Sequence, residues 1–271
     1  MKTSISMYSM HHALGSGELS PCQVLEFFRE NGAPYVELLD NYMSTKEEKE
    51  QIKACLNSLG LKVSSYSISN NFVTDEEARR EQIEYVKEAV AYAKYFDASI
   101  IRVFCANATD KYTYEQGLDM IIDSFRQCVK TAEEAGVIFS LENHGMFAGK
   151  AEQVKHIIDA VGSKALRATT DTGNFLLVCE NPLDSIKTLL DYVGFVHFKD
   201  FKKAVNEGYT ALDGSRYTGT VIGEGEVPLP QIVSLLRQNG YDGFLSIEYE
   251  GGNDGLRESV RKSIAYVNTL V

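Results

Sequence analysis

The sequence predicts a single (β/α)8 barrel of parallel strands, and three observations carry that expectation. Eight short β-like runs alternate with longer amphipathic helical patterns, with no linker between them. The chain is 271 residues long. Barrels of this kind run to roughly 250 residues as one domain, so residues 1–271 are read as one domain. No G-x-G-x-x-G or phosphate-loop pattern follows any strand, which argues against an open sheet built around a nucleotide.

The strands are expected near Ser4–Met7, Tyr35–Leu38, Lys62–Ser67, Ser99–Cys105, Val137–Glu142, Leu166–Asp171, Gly194–Phe198 and Phe244–Glu248. Helices lie between them. Ile83, Val86, Val90 and Ala93 recur at helical spacing, and so do Leu118, Ile121, Ile122, Phe125 and Val129. Capping-box patterns open four helices, at Ser20 to Gln23, Ser44 to Glu47, Thr74 to Glu77 and Thr113 to Gln116. Gly32, Gly60, Gly136 and Gly240 stand before the next strand, where a left-handed residue commonly ends a helix. Gly223-Glu224-Gly225-Glu226 marks a turn before a helix that starts at Pro228–Pro230.

Composition narrows the partners. The net charge is −11, and the densest basic spot, Lys199–Lys203, holds only three lysines. A surface this acidic repels phosphate backbones, so nucleic acid is not expected as a partner. No apolar stretch approaches the ~20 residues of a membrane span. The first strand-like run begins almost at Met1 and leaves no room for a signal peptide, so a cytoplasmic location is expected. Five widely spaced cysteines without a C-x-x-C pair read as reduced, mostly buried thiols.

In a parallel barrel the chemistry sits at the carboxyl ends of the strands. Strand five ends in Glu142-Asn143-His144, strand six in Asp171-Thr172-Gly173-Asn174, strand seven in His197-Phe198-Lys199-Asp200 and strand eight in Glu248-Tyr249-Glu250. Four consecutive strands thus finish with a carboxylate or an imidazole at one level. Three converging carboxylates repel one another unless a cation joins them. With one imidazole they suit a single divalent ion such as Mn²⁺, Mg²⁺, Co²⁺ or Zn²⁺.

These segments, together with Gly223-Glu224-Gly225, resemble the sugar phosphate isomerase/epimerase superfamily of xylose-isomerase-like barrels, whose members include ketose 3-epimerases, inosose dehydratases and abasic-site endonucleases. The resemblance spans nearly the whole chain and is most specific from Val137 to Glu250. It implies Glu142, Asp171, His197 and Glu248 as metal ligands, with Glu142 and Glu248 also serving as the acid/base pair. It further implies a small carbohydrate substrate, phosphorylated or not, and an enzyme that abstracts a proton next to a carbonyl through an enediolate. Dimers and tetramers are common in the family, so a homo-oligomer is expected without a count.

Other readings are weaker. A dehydratase or lyase acting on a cyclic polyol or keto-glycoside would share the same metal and glutamates. A non-catalytic sugar-binding barrel has no reason to keep both Glu142 and Glu248. The abasic-site endonucleases need extra histidines; this chain has five in all, and has Asn174 where those enzymes carry another imidazole.

Around the core set, His144 and Lys199 each lie two residues beyond a ligand candidate and are candidates for substrate binding, as is Asn174. The competing role for Lys199 is a salt bridge to a rim carboxylate. Arg102, inside strand four, is read as a partner of Glu142 or a substrate contact, against a plain ion pair inside the barrel. Glu37 either faces the mouth or caps a helix. His11 and His12 follow strand one and are read as exposed loop histidines, against part of a lid, and His156 is a surface residue of a helix.

Overall fold

The computed structural model describes residues 1–271. Eight parallel strands close into a barrel: β1 (Lys2–Ser6), β2 (Tyr35–Leu39), β3 (Lys62–Ser67), β4 (Ile100–Val103), β5 (Ile138–Glu142), β6 (Leu166–Asp171), β7 (Val193–Phe198) and, as the eighth, β11 (Phe244–Ile247). All eight strands are those read from the sequence. Their ends differ by a few residues: β4 is shorter than expected, and β11 stops at Ile247, so Glu248 begins the loop.

Between β7 and β11 the chain makes an excursion that the sequence reading did not find. β8 (Phe201–Ala204), β9 (Tyr209–Thr210) and β10 (Arg216–Gly219) form a three-stranded antiparallel sheet in the order β8-β10-β9. It lies against the mouth of the barrel. A Cβ on Gly219 would stand 2.3 Å from the Glu250 carbonyl oxygen, so only glycine permits that approach.

The helices follow the expected chemistry with two corrections. Ser20 and Thr113 cap with full boxes to Gln23 and Gln116. At the third helix the cap is Thr45 paired with Glu48, one residue later than expected. At the fourth, Asp75 rather than Thr74 accepts from the Ala78 N–H, and no box forms. Gly60 and Gly136 end their helices left-handed, at φ 64° and 67°.

The apolar faces of these helices pack on the outside of the barrel to make one continuous core. The amino-terminal end of the barrel is plugged by Tyr35, Phe195 and Phe244, with the Tyr35 and Phe244 rings 4.9 Å apart. The interior is thus closed below, and only the carboxyl end is left for chemistry. No helix is long and apolar enough to cross a membrane. All five cysteines are free thiols, but only Cys105 and Cys128 are buried; Cys179 is exposed, which corrects the mostly buried expectation.

Candidate metal centre

Glu142, Asp171, His197 and Glu248 meet at the carboxyl end of the barrel, each buried, with one potential ligand atom apiece lying within 4.8 Å of the others. His197 Nδ1 is 3.4 Å from Glu142 Oε2, 3.4 Å from Glu248 Oε2 and 3.8 Å from Asp171 Oδ2. Four ligands around a cation at about 2.1 Å stand about 3.4 Å apart, so the spacing fits a metal.

Local structure fixes each group. The Asp171-Thr172-Gly173-Asn174 turn bends back so that the Gly173 and Asn174 N–H groups donate to Asp171 Oδ1, both at 2.9 Å. This commits one oxygen and leaves Oδ2 facing the cluster. The Asn143 side chain brackets the Asp171 backbone, accepting from its N–H at 2.6 Å and donating to its carbonyl at 3.1 Å. Glu142 Oε1 accepts from Asn174 Nδ2 at 3.2 Å, and the Arg102 Nε lies 3.4 Å from Oε2.

His197 is oriented by Glu37. The Nε2–H donates to Glu37 Oε1 at 3.0 Å, and Ser67 and Ser246 hydroxyls donate to the same carboxylate at 2.6 and 2.8 Å. A carboxylate only accepts, so one proton belongs on Nε2 and Nδ1 is turned toward the three carboxylates, where an ion would take the place of its proton. Burial opposes charge on the ring, but Glu37, Glu248 and Glu142 override it and hold His197 well above the usual imidazole range. Glu37 therefore lies inside the barrel beneath the cluster; the helix-capping alternative is wrong.

Three buried atoms of this cluster, Glu142 Oε2, Asp171 Oδ2 and His197 Nδ1, make no hydrogen bond, although Lys199 Nζ stands 2.9 Å from Asp171 Oδ2 and Arg102 Nε 3.4 Å from Glu142 Oε2. Buried polar atoms rarely go without partners, and these three point at a common place. The charges agree. Glu37, Glu142, Asp171, Glu248 and Glu250 are buried or nearly so, and the cations among them are Arg102, Lys199 and, in the protein without an ion, His197. A divalent ion offsets most of that deficit. The donor set and its unpartnered atoms fit a hard or borderline metal.

In the protein without an ion, the two glutamates are pushed in opposite directions. Burial raises Glu142 to about 7, against the pull of His197. Burial also opposes charge on Glu248, but the Lys199 ammonium and His197 override it and hold that carboxyl well below the usual range.

Lys199 is buried and takes the salt-bridge role weighed for it. Its Nζ lies 3.0 Å from the rim carboxylate of Glu250, and also 2.9 Å from Asp171 Oδ2 and 2.8 Å from Glu248 Oε2. The Thr172 hydroxyl donates to the Lys199 carbonyl at 2.7 Å, pinning β7 to β6. Asn174 lies between Glu142 and Lys199, its Oδ1 accepting from Nζ at 3.3 Å. Arg102 lies between Glu142 and Glu37, with its guanidinium over the Phe104 ring. In this structure both residues touch the cluster itself. His144 stands at the rim beside Phe104. A cavity of about 270 Å³ opens over the cluster, with Tyr8, Asn41, Ser69, Phe104 and His144 in its walls. His11 begins a short helix after β1 rather than a loop, and His156 is an exposed helix residue as expected.

Asp200, which received no role from the sequence, organises the Gly223–Val227 loop. Its Oδ2 accepts from the Gly223 and Gly225 N–H groups at 2.9 Å each, and its Oδ1 from Val227 at 3.1 Å. A Cβ on Gly225 would stand 2.1 Å from Asp200 Oδ1 and 2.6 Å from the Phe201 carbonyl oxygen. Gly225→Ala is therefore expected to lower stability by about 1–3 kcal/mol, the usual cost of overpacking, read as a reduced urea midpoint with unchanged slope.

A family model, the xylose isomerase-like TIM barrel, matches residues 25–269. The chain belongs to that family. Among curated proteins it is 26% identical over 148 residues to an inosose dehydratase of Clostridium botulinum, covering 52% of this chain and 50% of that protein. The chain thus spans about half the length of that relative. Among solved structures, D-psicose 3-epimerase with D-tagatose from Clostridium cellulolyticum H10 superposes with TM-score 0.78 at 16% identity, over 100% of this chain and 99% of that one. A xylose isomerase-like barrel protein from Mycobacterium smegmatis in complex with magnesium gives TM-score 0.78 at 19% identity, over 99% and 96%. At such identities the structural likeness is one of fold.

Proposed function

We propose that this chain is a divalent-metal-dependent isomerase or epimerase that moves a proton next to the carbonyl of a keto-sugar or sugar phosphate. One observation carries the reading: three carboxylates and one imidazole from four successive barrel strands bring their ligand atoms within 4.8 Å of one another at the open end.

A C–H beside a ketone is a very weak acid; the ion, when bound, supplies Lewis-acid polarisation of the neighbouring oxygens. The remaining work belongs to the protein. One of the two glutamates, Glu142 steadied by Asn174 and Arg102 or Glu248 steadied by Lys199, takes the proton from one face, and the other, starting protonated, returns one on the opposite face. Return to the same carbon gives an epimer, and return to the neighbouring carbon an aldose–ketose isomer. Lys199 and His144 face the cavity and meet substrate oxygens there. Its volume of about 270 Å³ suits one monosaccharide ring.

A second reading is a dehydratase or lyase, favoured by the likeness to an inosose dehydratase. The same two glutamates serve it: one takes the proton, and the other protonates a departing β-hydroxyl.

Incubating the metal-loaded protein with ketoses, inososes and keto-glycosides in D₂O tests both. Deuterium entering beside the carbonyl, with an epimer or isomer as product, supports the first reading, and loss of water supports the second. No exchange with any substrate under any of the four metals contradicts both. Independently of turnover, Mn²⁺ at a hundred times its dissociation constant is expected to stabilise the fold by about 2.7 kcal/mol, seen as a higher melting temperature that a chelator reverses.

A further inference from the structure

Beside the cavity over the metal cluster lies a second and larger one, of about 620 Å³. The two share His144 as a wall. The floor of the second is Asn143 and Asn174, the two residues that hold Asp171 and Glu142 in place. Its character is different. Tyr114, Met146, Leu177, Val178 and Leu212 line it, with Lys150 at one side.

Two of those apolar side chains are held out in solvent: Leu212 is 70% exposed and Met146 45%. Single exposed apolar residues are ordinary, but these two line one cavity from different segments of the chain, and each is braced there. Leu212 lies in the turn between β9 and β10, its N–H donating to the Leu177 carbonyl at 2.9 Å, with Ala211 beside it buried against Phe201 and Tyr217. Met146 sits in the helical turn Gly145–Ala148, its carbonyl accepting from Gln153 Nε2 at 3.1 Å. The excursion that interrupts the barrel thus supplies one wall of an apolar chamber opening beside the candidate metal.

We infer that this chamber is a subsite for an apolar substituent of the substrate, such as an aryl or alkyl group in glycosidic linkage, while the sugar ring occupies the cavity over the metal. The inference rests on reading the metal centre as a sugar site. A chamber of this size with apolar walls and a few polar groups is the usual form of a small-molecule site.

The test compares methyl and phenyl β-D-glucopyranosides, galactopyranosides and xylopyranosides by calorimetry on the Mn²⁺-loaded protein. In at least one sugar series the phenyl compound is expected to bind tenfold or more tightly than the methyl compound. Leu212→Asp and Met146→Ser, both at exposed positions, are expected to reduce that preference severalfold, with Mn²⁺ affinity as the control for folding. Equal affinities in all three series, no phenyl glycoside binding up to 10 mM, or a preference that survives both substitutions overturns the inference. So does sedimentation showing a dimer that Leu212→Asp dissociates, because the rim is then a protein interface. Substitution-sensitive phenyl binding without proton exchange in D₂O defeats the proposed reaction and leaves the subsite standing. Exchange on unsubstituted ketoses with no phenyl preference does the reverse.

Discussion

Glu142→Gln and Glu248→Gln are each expected to lower turnover on the order of 10²–10⁴-fold, the range that a positioned general acid or base contributes. Both glutamates are buried beside His197, and glutamine keeps their shape. The barrel should therefore stay folded, with an unchanged near-ultraviolet circular dichroism spectrum. Because each residue is also a candidate metal ligand, the Mn²⁺ dissociation constant is measured on the same samples and turnover is compared at saturating metal. Near-normal turnover in either variant removes that glutamate from the acid/base pair.

The second large effect falls on metal affinity. His197→Ala removes the one imidazole and is expected to weaken Mn²⁺ binding by at least a hundredfold, with activity following. Glu37→Gln acts through His197. The carboxylate that accepts from Nε2 is replaced by an amide that can present a donor to it, and the tautomer with Nδ1 free for an ion is no longer enforced. A tenfold to hundredfold loss of affinity is expected, the range typical of groups that orient a ligating histidine. Calorimetric titration measures both. Unchanged affinity in Glu37→Gln means that the carboxylate only fills space beneath the ring.

Much of this centre was legible in the sequence because parallel strands announce their ends. Each of the last four barrel runs finishes in a single carboxylate or imidazole, and closure of the barrel brings those ends together. The supporting residues were less legible, although alternation pointed to some of them. Glu37 lies between Val36 and Leu38 on a half-outward strand, so its side chain had to face inward, yet nothing local distinguished the mouth from a helix cap. Glu250, two residues beyond Glu248, reaches Lys199 from a loop whose course depends on the excursion above it. That excursion carried one readable signal, Asp213-Gly214 between Tyr209–Thr210 and Arg216–Gly219, a dipeptide favoured in hairpin turns. Its strands are too short to show a period. The misplaced caps have a similar cause: Ser44 and Thr45, or Thr74 and Asp75, are adjacent residues with equal capping chemistry. The choice rests on where the helix meets the barrel.

The most direct test of the account is anomalous diffraction from crystals grown with Mn²⁺. A single strong peak bounded by Glu142, Asp171, His197 Nδ1 and Glu248, with ligand atoms about 2.0–2.2 Å away, is the predicted result. Full Mn²⁺ loading in solution with no peak between those four side chains, or a peak elsewhere in the barrel, would contradict it.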